Sequence, residues 1–337
     1  MSSYPQPSPP TPTPPSPVTP PPPPAPVPQP LPLRHSTSIQ GNVLAAYNKD
    51  HQCFLLYRFA DQGQARLWLG AVAAQVAATE TVEDYNDAYR AARAAGATQA
   101  PTATWVNVGL TAQGLEMLTA NAAQIGADLI PFTTFAAGPA AHATALGDTG
   151  ASDPTRWQFG GSSNAPVHAV VTVAADATTD RDGKLAALDQ LAQQHNITLV
   201  YRLDGDALAG TMAGHEHFGH KDGISQPGVR DFHEPDPANP GLRKDHPGTP
   251  LIAAGEFILG YPDEGGTAAP APAWMKDGSF QVLRQVAQDV PSWHAQMHDL
   301  RQVNPSLAAS DEELQAKLMG RWPSGRPLAL AGLSLSS

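Results

Sequence analysis

Two strand–helix–strand patterns in the middle of this chain limit the folds open to it. Residues 53–59 form a short apolar run with the length of a buried strand. Residues 62–77 then place Ala65, Leu69, Val72 and Val76 on one helical stripe, and 104–110 alternate as a half-buried strand does. The pattern recurs as a strand over 167–174, a helix over 182–195 carrying Leu185, Leu188 and Leu191, and a strand over 198–203. Two helices over four strands in this order predict an α+β, ferredoxin-like layer. Between the halves, Thr111 is placed to cap a short helix with Leu115 and Leu118, and 138–166 read as a long surface connection.

Proline sets the outer boundary. It occupies nearly every second position of residues 1–37, with five in a row from Pro20 to Pro24. Fixed φ and missing donors predict a disordered, extended polyproline II tail there, a solvated linker or a ligand for a proline-recognition domain. Folding is expected to begin near Ile39. After the second unit, 230–250 are charged and loop-like, 255–261 and 279–286 read as strands, and 290–302 and 311–319 read as helices, the latter capped by Ser310. The expected division is therefore a tail (1–37), a first ferredoxin-like domain (38–230), and a linker with an incomplete second one (231–337).

A net charge of −11 argues against nucleic acid or an anionic membrane as partner. No run approaches the roughly 18 apolar residues that span a bilayer. The N-terminus has neither a basic nor an apolar leader region, so the expectation is a soluble, cytoplasmic protein. The single cysteine, Cys53, lies in an apolar run and reads as a buried, inert thiol.

The chemistry concentrates in residues 216–227, Glu-His-Phe-Gly-His-Lys-Asp-Gly-Ile-Ser-Gln-Pro. Glycines around Asp222 let the backbone approach a large flat ligand. A carboxylate there can do general acid–base work, moving a proton between atoms of a bound ligand, or it can merely cap a turn. His215, His217 and His220 have a spacing that resembles half of a metallo-β-lactamase-type zinc site, but Gly219 stands where that pattern has Asp. Solvated loop histidines are the preferred reading, and a metallohydrolase is the rival. His294 and His298, four apart on a helix, read as a polar stripe rather than a metal pair.

Gly219-His220-Lys221-Asp222-Gly223 resembles the Gly-x-x-Asp-Gly signature of dye-decolourising (DyP-type) haem peroxidases. Five further blocks recur in family order: Ile39–Leu44, Trp105–Thr111 with Gly114-Leu115, Gly255–Tyr261, Asp277–Phe280 with Gln288–Pro291, and Gly320–Gly325. The resemblance extends over about 38–327. It implies a pair of ferredoxin-like domains holding haem b, with hydrogen peroxide reduced and bulky organic reductants such as dyes oxidised, and it is compatible with a homo-oligomer. By resemblance Asp222 is the distal catalytic aspartate, and Gly223, Ile224, Ser225 and Gln226 line the haem cavity. His220 and Lys221 fill the variable positions of the signature and carry no catalytic expectation. The family's axial histidine and distal arginine lie beyond the Trp-Pro-Ser-Gly block and have no match here. The chain is therefore expected to be a C-terminally truncated member, with a non-catalytic binding module as the alternative.

Overall fold

The structure, a computed structural model, describes residues 31–224 and 226–330. Four strands, β1 (His51–Arg58), β2 (Thr104–Leu110), β3 (Ala169–Ala175) and β4 (Thr198–Asp206), form one antiparallel sheet in the order β2-β3-β1-β4. This is the expected ferredoxin-like α+β layer. Alternate residues explain why it forms. Cys53, Leu55 and Tyr57 of β1, Val106 of β2, and Ala169, Val171 and Val173 of β3 point to one face. There they meet Ala65, Trp68 and Val72 of the Gln62–Ala73 helix and Leu185, Leu188 and Ala192 of the Thr178–Gln194 helix. Trp68 is fully buried and meets Tyr57 and Phe59 edge-on, with centroids 5.1 and 5.5 Å away. A one-residue slip would turn each strand's apolar set away from these helices, so the alternation itself fixes register.

The first helix stops at Ala73, short of the expected residue 77. The next residues have other partners: Ala77 N–H donates to Val106 O, Ala77 O accepts from Gly41 N, and Gln40 bridges Ala78. A helix over Thr79–Ala94 went unforeseen because it buries only Thr79, Val82 and Glu83, too thin a stripe among charged residues. It is held partly through Tyr85, whose hydroxyl donates to Asp176 at 3.1 Å beside the buried Lys49 ammonium, 2.7 Å from the same carboxylate. Burial, aided by Asp176, pushes the Tyr85 phenol up to about 12.

Folding starts earlier than the proline pattern implied. Residues 1–30 of the expected tail lie outside the described residues, but 31–37 are ordered and correct that boundary. Pro32–His35 form a 3-10 turn with proline at its start, where no backbone donor is required. Leu33 is buried with Ile39, Leu44, Val229, Phe232, Ala254 and Ile258, and its N–H donates to Asp231 O.

Two expected strands are absent. Residues 254–262 fold back on themselves: Ala254–Glu256 is a 3-10 turn, Ile258 N–H donates to Ala254 O, and Gly255 N–H to Pro262 O. An added Cβ at Gly255 would lie 2.3 Å from Tyr261 O, so the doubling back needs glycine there. Residues 279–286 have no regular structure and instead cross the sheet face away from the helices. Gln281 Oε1 lies 3.4 Å from where a Gly109 Cβ would stand, on β2, and Tyr201 of β4 donates to Gln285 Oε1 at 3.0 Å. The helices Val290–Val303 and Asp311–Met319 form as expected, capped by Asp289 and Ser310, and share a small core of Met297, Ala308 and Leu314. Among the described residues no helix is long and apolar enough to cross a membrane.

Gly114 tests the join between sheet and flanking helix. A Cβ there would stand 1.9 Å from the His168 carbonyl oxygen, against backbone that has nowhere to move. Gly114→Ala should lower unfolding stability by about 3 kcal/mol, as overpacking does. Gly126→Ala, in a helix with nothing within 4 Å of the added methyl, should instead be neutral or raise it by up to about 1 kcal/mol. Urea denaturation of both variants checks the contrast.

Candidate functional site

The signature segment is a closed loop. His215 and Lys221 pair in an antiparallel bridge, and Asp222 N–H donates to Gly214 O at 3.0 Å. The tip, 216–220, is a turn in which Glu216 N–H donates to His220 O and Gly219 N–H to Glu216 O, both at 2.9 Å. Gly214, Gly219 and Gly223 have φ of +72°, +97° and +72°, values that favour glycine, so the glycine spacing follows from the turn. After the loop, Gly228–Val229 pair in parallel with Leu251–Ile252 and fix its far end.

Glu216 is the hub of the tip. Its Oε2 accepts from Phe218 N and from Gln288 Nε2, both at 2.8 Å, and its Oε1 accepts from His220 N at 2.9 Å. Burial alone would raise its pKa, but these hydrogen bonds and the nearby His220 outweigh it and hold the carboxyl below its ordinary value.

A second tether comes from a hairpin roughly a hundred residues on in sequence. Lys221 N–H donates to Pro323 O at 2.9 Å. An added Cβ at Gly325, where φ is +86°, would lie 1.9 Å from Ile224 Cδ1. The hairpin is closed by Trp322 N–H to Arg326 O and by the Arg321–Pro327 bridge. The Gly320–Gly325 block therefore lies directly against the signature loop, a contact that no sequence spacing announced.

Asp222 and Gly223 are exposed at the end of this loop, and Asp222 Oδ1 accepts from Gly223 N–H at 2.7 Å. An added Cβ at Gly223 would meet nothing within 4 Å, so the backbone there opens onto free space. Ile224 is half-buried and Gln226 exposed; Ser225 lies outside the described residues. Beside the tip, Phe218 packs at a tilt against Trp293, with centroids 5.2 Å apart, and the two line an open cleft of about 670 Å³ with Asp289 and Asp299.

The histidines differ from expectation at one position. His217 is exposed, and His215 Nδ1 lies 3.0 Å from Ala213 O. His220, expected to be solvated, is 7% exposed, and both ring nitrogens are without a hydrogen-bond partner among the described residues. The turn closed on Glu216 draws it inward. No group of three His, Cys, Asp or Glu side chains among the described residues could hold a metal ion, so the zinc reading of His215, His217 and His220 has no geometry behind it. His294 and His298 face the last helix, near Gln315 and Asp311, as a polar seam.

Residues 38–208 match the family model described as the DyP dimeric alpha+beta barrel domain. The chain belongs to the dye-decolourising (DyP-type) peroxidase family. It is 32% identical over 299 residues to a dye-decolorizing peroxidase of Mycena epipterygia, covering 87% of this chain and 50% of that one. A mutant of the dye-decolorizing peroxidase from Pleurotus ostreatus superposes with a TM-score of 0.72 at 27% identity, covering 88% of this chain and 60% of that one. A DyP solved in complex with 2,6-dimethoxyphenol has a TM-score of 0.67 at 27% identity, covering 90% of this chain and 62% of that one. The chain spans about half the length of the curated relatives it matches.

In this DyP chain the segment that follows the loop carries a half-buried histidine. His233 Nδ1 accepts from Val229 N–H at 2.9 Å. Burial, assisted by Arg243 and Arg34 and opposed by Asp245, lowers its pKa to about 4. His168, which accepts from Phe59 N–H, is shifted the same way, by burial and then by Arg58. A depressed histidine is neutral in the folded state, so the unfolded chain binds more protons between its ordinary value of 6.5 and about 4. Stability should be fully present above pH 6.5 and fall as the pH drops toward 4. Urea midpoints at pH 7, 6, 5 and 4 measure this, and His233→Gln, whose Oε1 can still accept from Val229, should flatten the slope.

Proposed function

We propose that this chain carries the distal half of a DyP-type peroxidase site, in which Asp222 moves a proton between the two oxygens of hydrogen peroxide while an organic donor is oxidised. The observation that carries the reading is Asp222 itself: an exposed carboxylate on a glycine-flanked turn, anchored through its own N–H and opening onto free space at Gly223. That opening suits a flat macrocycle, and Gly223, Ile224, Ser225 and Gln226 would line it. Haem b, when bound, supplies the iron at which peroxide is reduced and the donor oxidised.

With Oδ1 engaged by Gly223 N–H, Oδ2 is the atom placed to take the proton. The carboxylate accepts it from the peroxide oxygen that remains and returns it to the oxygen that leaves as water, which is general acid–base work by one group. The cleft beside Phe218 and Trp293 offers aromatic surface to a phenolic donor, the class bound in the 2,6-dimethoxyphenol complex. In this reading 38–230 form the domain that holds the loop, and 231–337 open a second one. The groups that would hold the iron and offset charge near Asp222 would belong to the part of the family's length that this chain does not span. A cytoplasmic location belongs to the same reading and accords with one buried, free thiol, Cys53.

Haem added to the purified chain, with imidazole as an external axial ligand, tests this. A sharpened Soret band and peroxide-dependent dye bleaching are expected, with bleaching reduced by about 100-fold or more in Asp222→Asn while the Soret band persists. Haem binding with no turnover in the wild type would favour the non-catalytic module. No Soret change at all would contradict the haem assignment for this chain.

A further inference from the structure

We propose that Glu216 is the positioning residue of the signature loop: its carboxylate sets the turn that presents Asp222 and, through Gln288, couples that turn to the segment crossing the sheet. The inference rests on the reading of Asp222 given above. The turn's own backbone bonds use Glu216 N–H and Gly219 N–H, and the carboxylate takes the N–H groups of Phe218 and His220 that are left over. Donors withdrawn even partly from water need a partner, so the His217–Phe218 and Gly219–His220 peptide planes orient toward the carboxylate. His220 leads directly into Lys221 and Asp222, whose N–H groups meet Pro323 O and Gly214 O. A rotation at His220 would misdirect both.

Only a carboxylate satisfies this arrangement. Three donors converge on two oxygens, whereas an amide has one acceptor oxygen and would point its own donors at the remaining N–H groups. The depressed pKa of Glu216 agrees with an anion that stays charged in a partly buried place. Gln288 contributes the third donor and lies on the stretch whose Gln281 and Gln285 touch β2 and β4. The loop's tip is thus indexed to the sheet by side chains rather than by a backbone ladder.

Glu216→Gln in the full chain, reconstituted with haem and imidazole beside the wild type, tests the proposal. The expected result is a fall of about 30-fold or more in kcat/KM for peroxide, with KM for 2,6-dimethoxyphenol changed less than about two-fold. In the haem-free protein, amide exchange at Phe218 and His220 should quicken by about 10-fold or more while β1 and β3 keep their protection. Gln288→Leu, which removes one donor of three, should give smaller changes in the same direction. Peroxide kinetics and amide exchange equal to wild type would overturn the proposal. So would a uniform loss, with donor KM and protection of β1 and β3 shifting together, because that marks a merely structural residue. If the wild type itself fails to react with peroxide, the reading of Asp222 fails instead, and the exchange rates still decide the role of Glu216.

Discussion

The burial of alternate side chains of β1 and β3 against the Gln62–Ala73 and Thr178–Gln194 helices is the interaction on which the rest depends. Cys53, Leu55 and Tyr57 face Val173, Val171 and Ala169 across the pair, and the same residues meet Trp68 and Leu188 above. Because side chains alternate, that commitment also fixes what the opposite face presents: Gly109 on β2 and Tyr201 on β4. The segment 279–288 uses those two points to cross the sheet, and it delivers Gln288 to the signature loop. Packing on one face therefore determines where the signature loop can be tethered on the other.

The loop itself is short of regular structure, and its shape is imposed from outside. Glu216 gathers the tip, Gly214 and His215 close the base, and the Trp322–Arg326 hairpin holds Lys221 and Ile224. Each tether is a hydrogen bond or a close contact to backbone, and each leaves the Asp222 side chain outside. That division leaves the Asp222 carboxylate exposed rather than engaged in holding the loop to its neighbours. It also separates Asp222 from the structural acids: Asp148, Asp176 and Asp311 are all engaged by cations.

Much of the fold was legible in the sequence because its signals are periodic. The four strands and the helices at 62 and 178 carry the alternation or the stripe that burial demands, and Ser310 stands where a cap is needed. The Thr79–Ala94 helix was not legible, since three buried residues make too weak a stripe. The runs at 255–261 and 279–286 look strand-like but lack partner strands, and a strand is defined by pairing that composition does not encode. At the site, the glycine-flanked turn around Asp222 was legible. The burial of His220, the convergence on Glu216 and the contact with Pro323 were not, because they arise from segments about a hundred residues or fewer apart in sequence whose juxtaposition only the folded sheet creates.

The central claim is that the signature loop is held in place by these remote tethers before any ligand arrives. Native-state hydrogen exchange of the Lys221 amide in the unmodified, haem-free chain tests it most directly. The account predicts exchange slowed by about 100-fold or more relative to an unstructured peptide, because Lys221 N–H is bonded to Pro323 O. Exchange at the unstructured rate, with the sheet amides still protected, would contradict it.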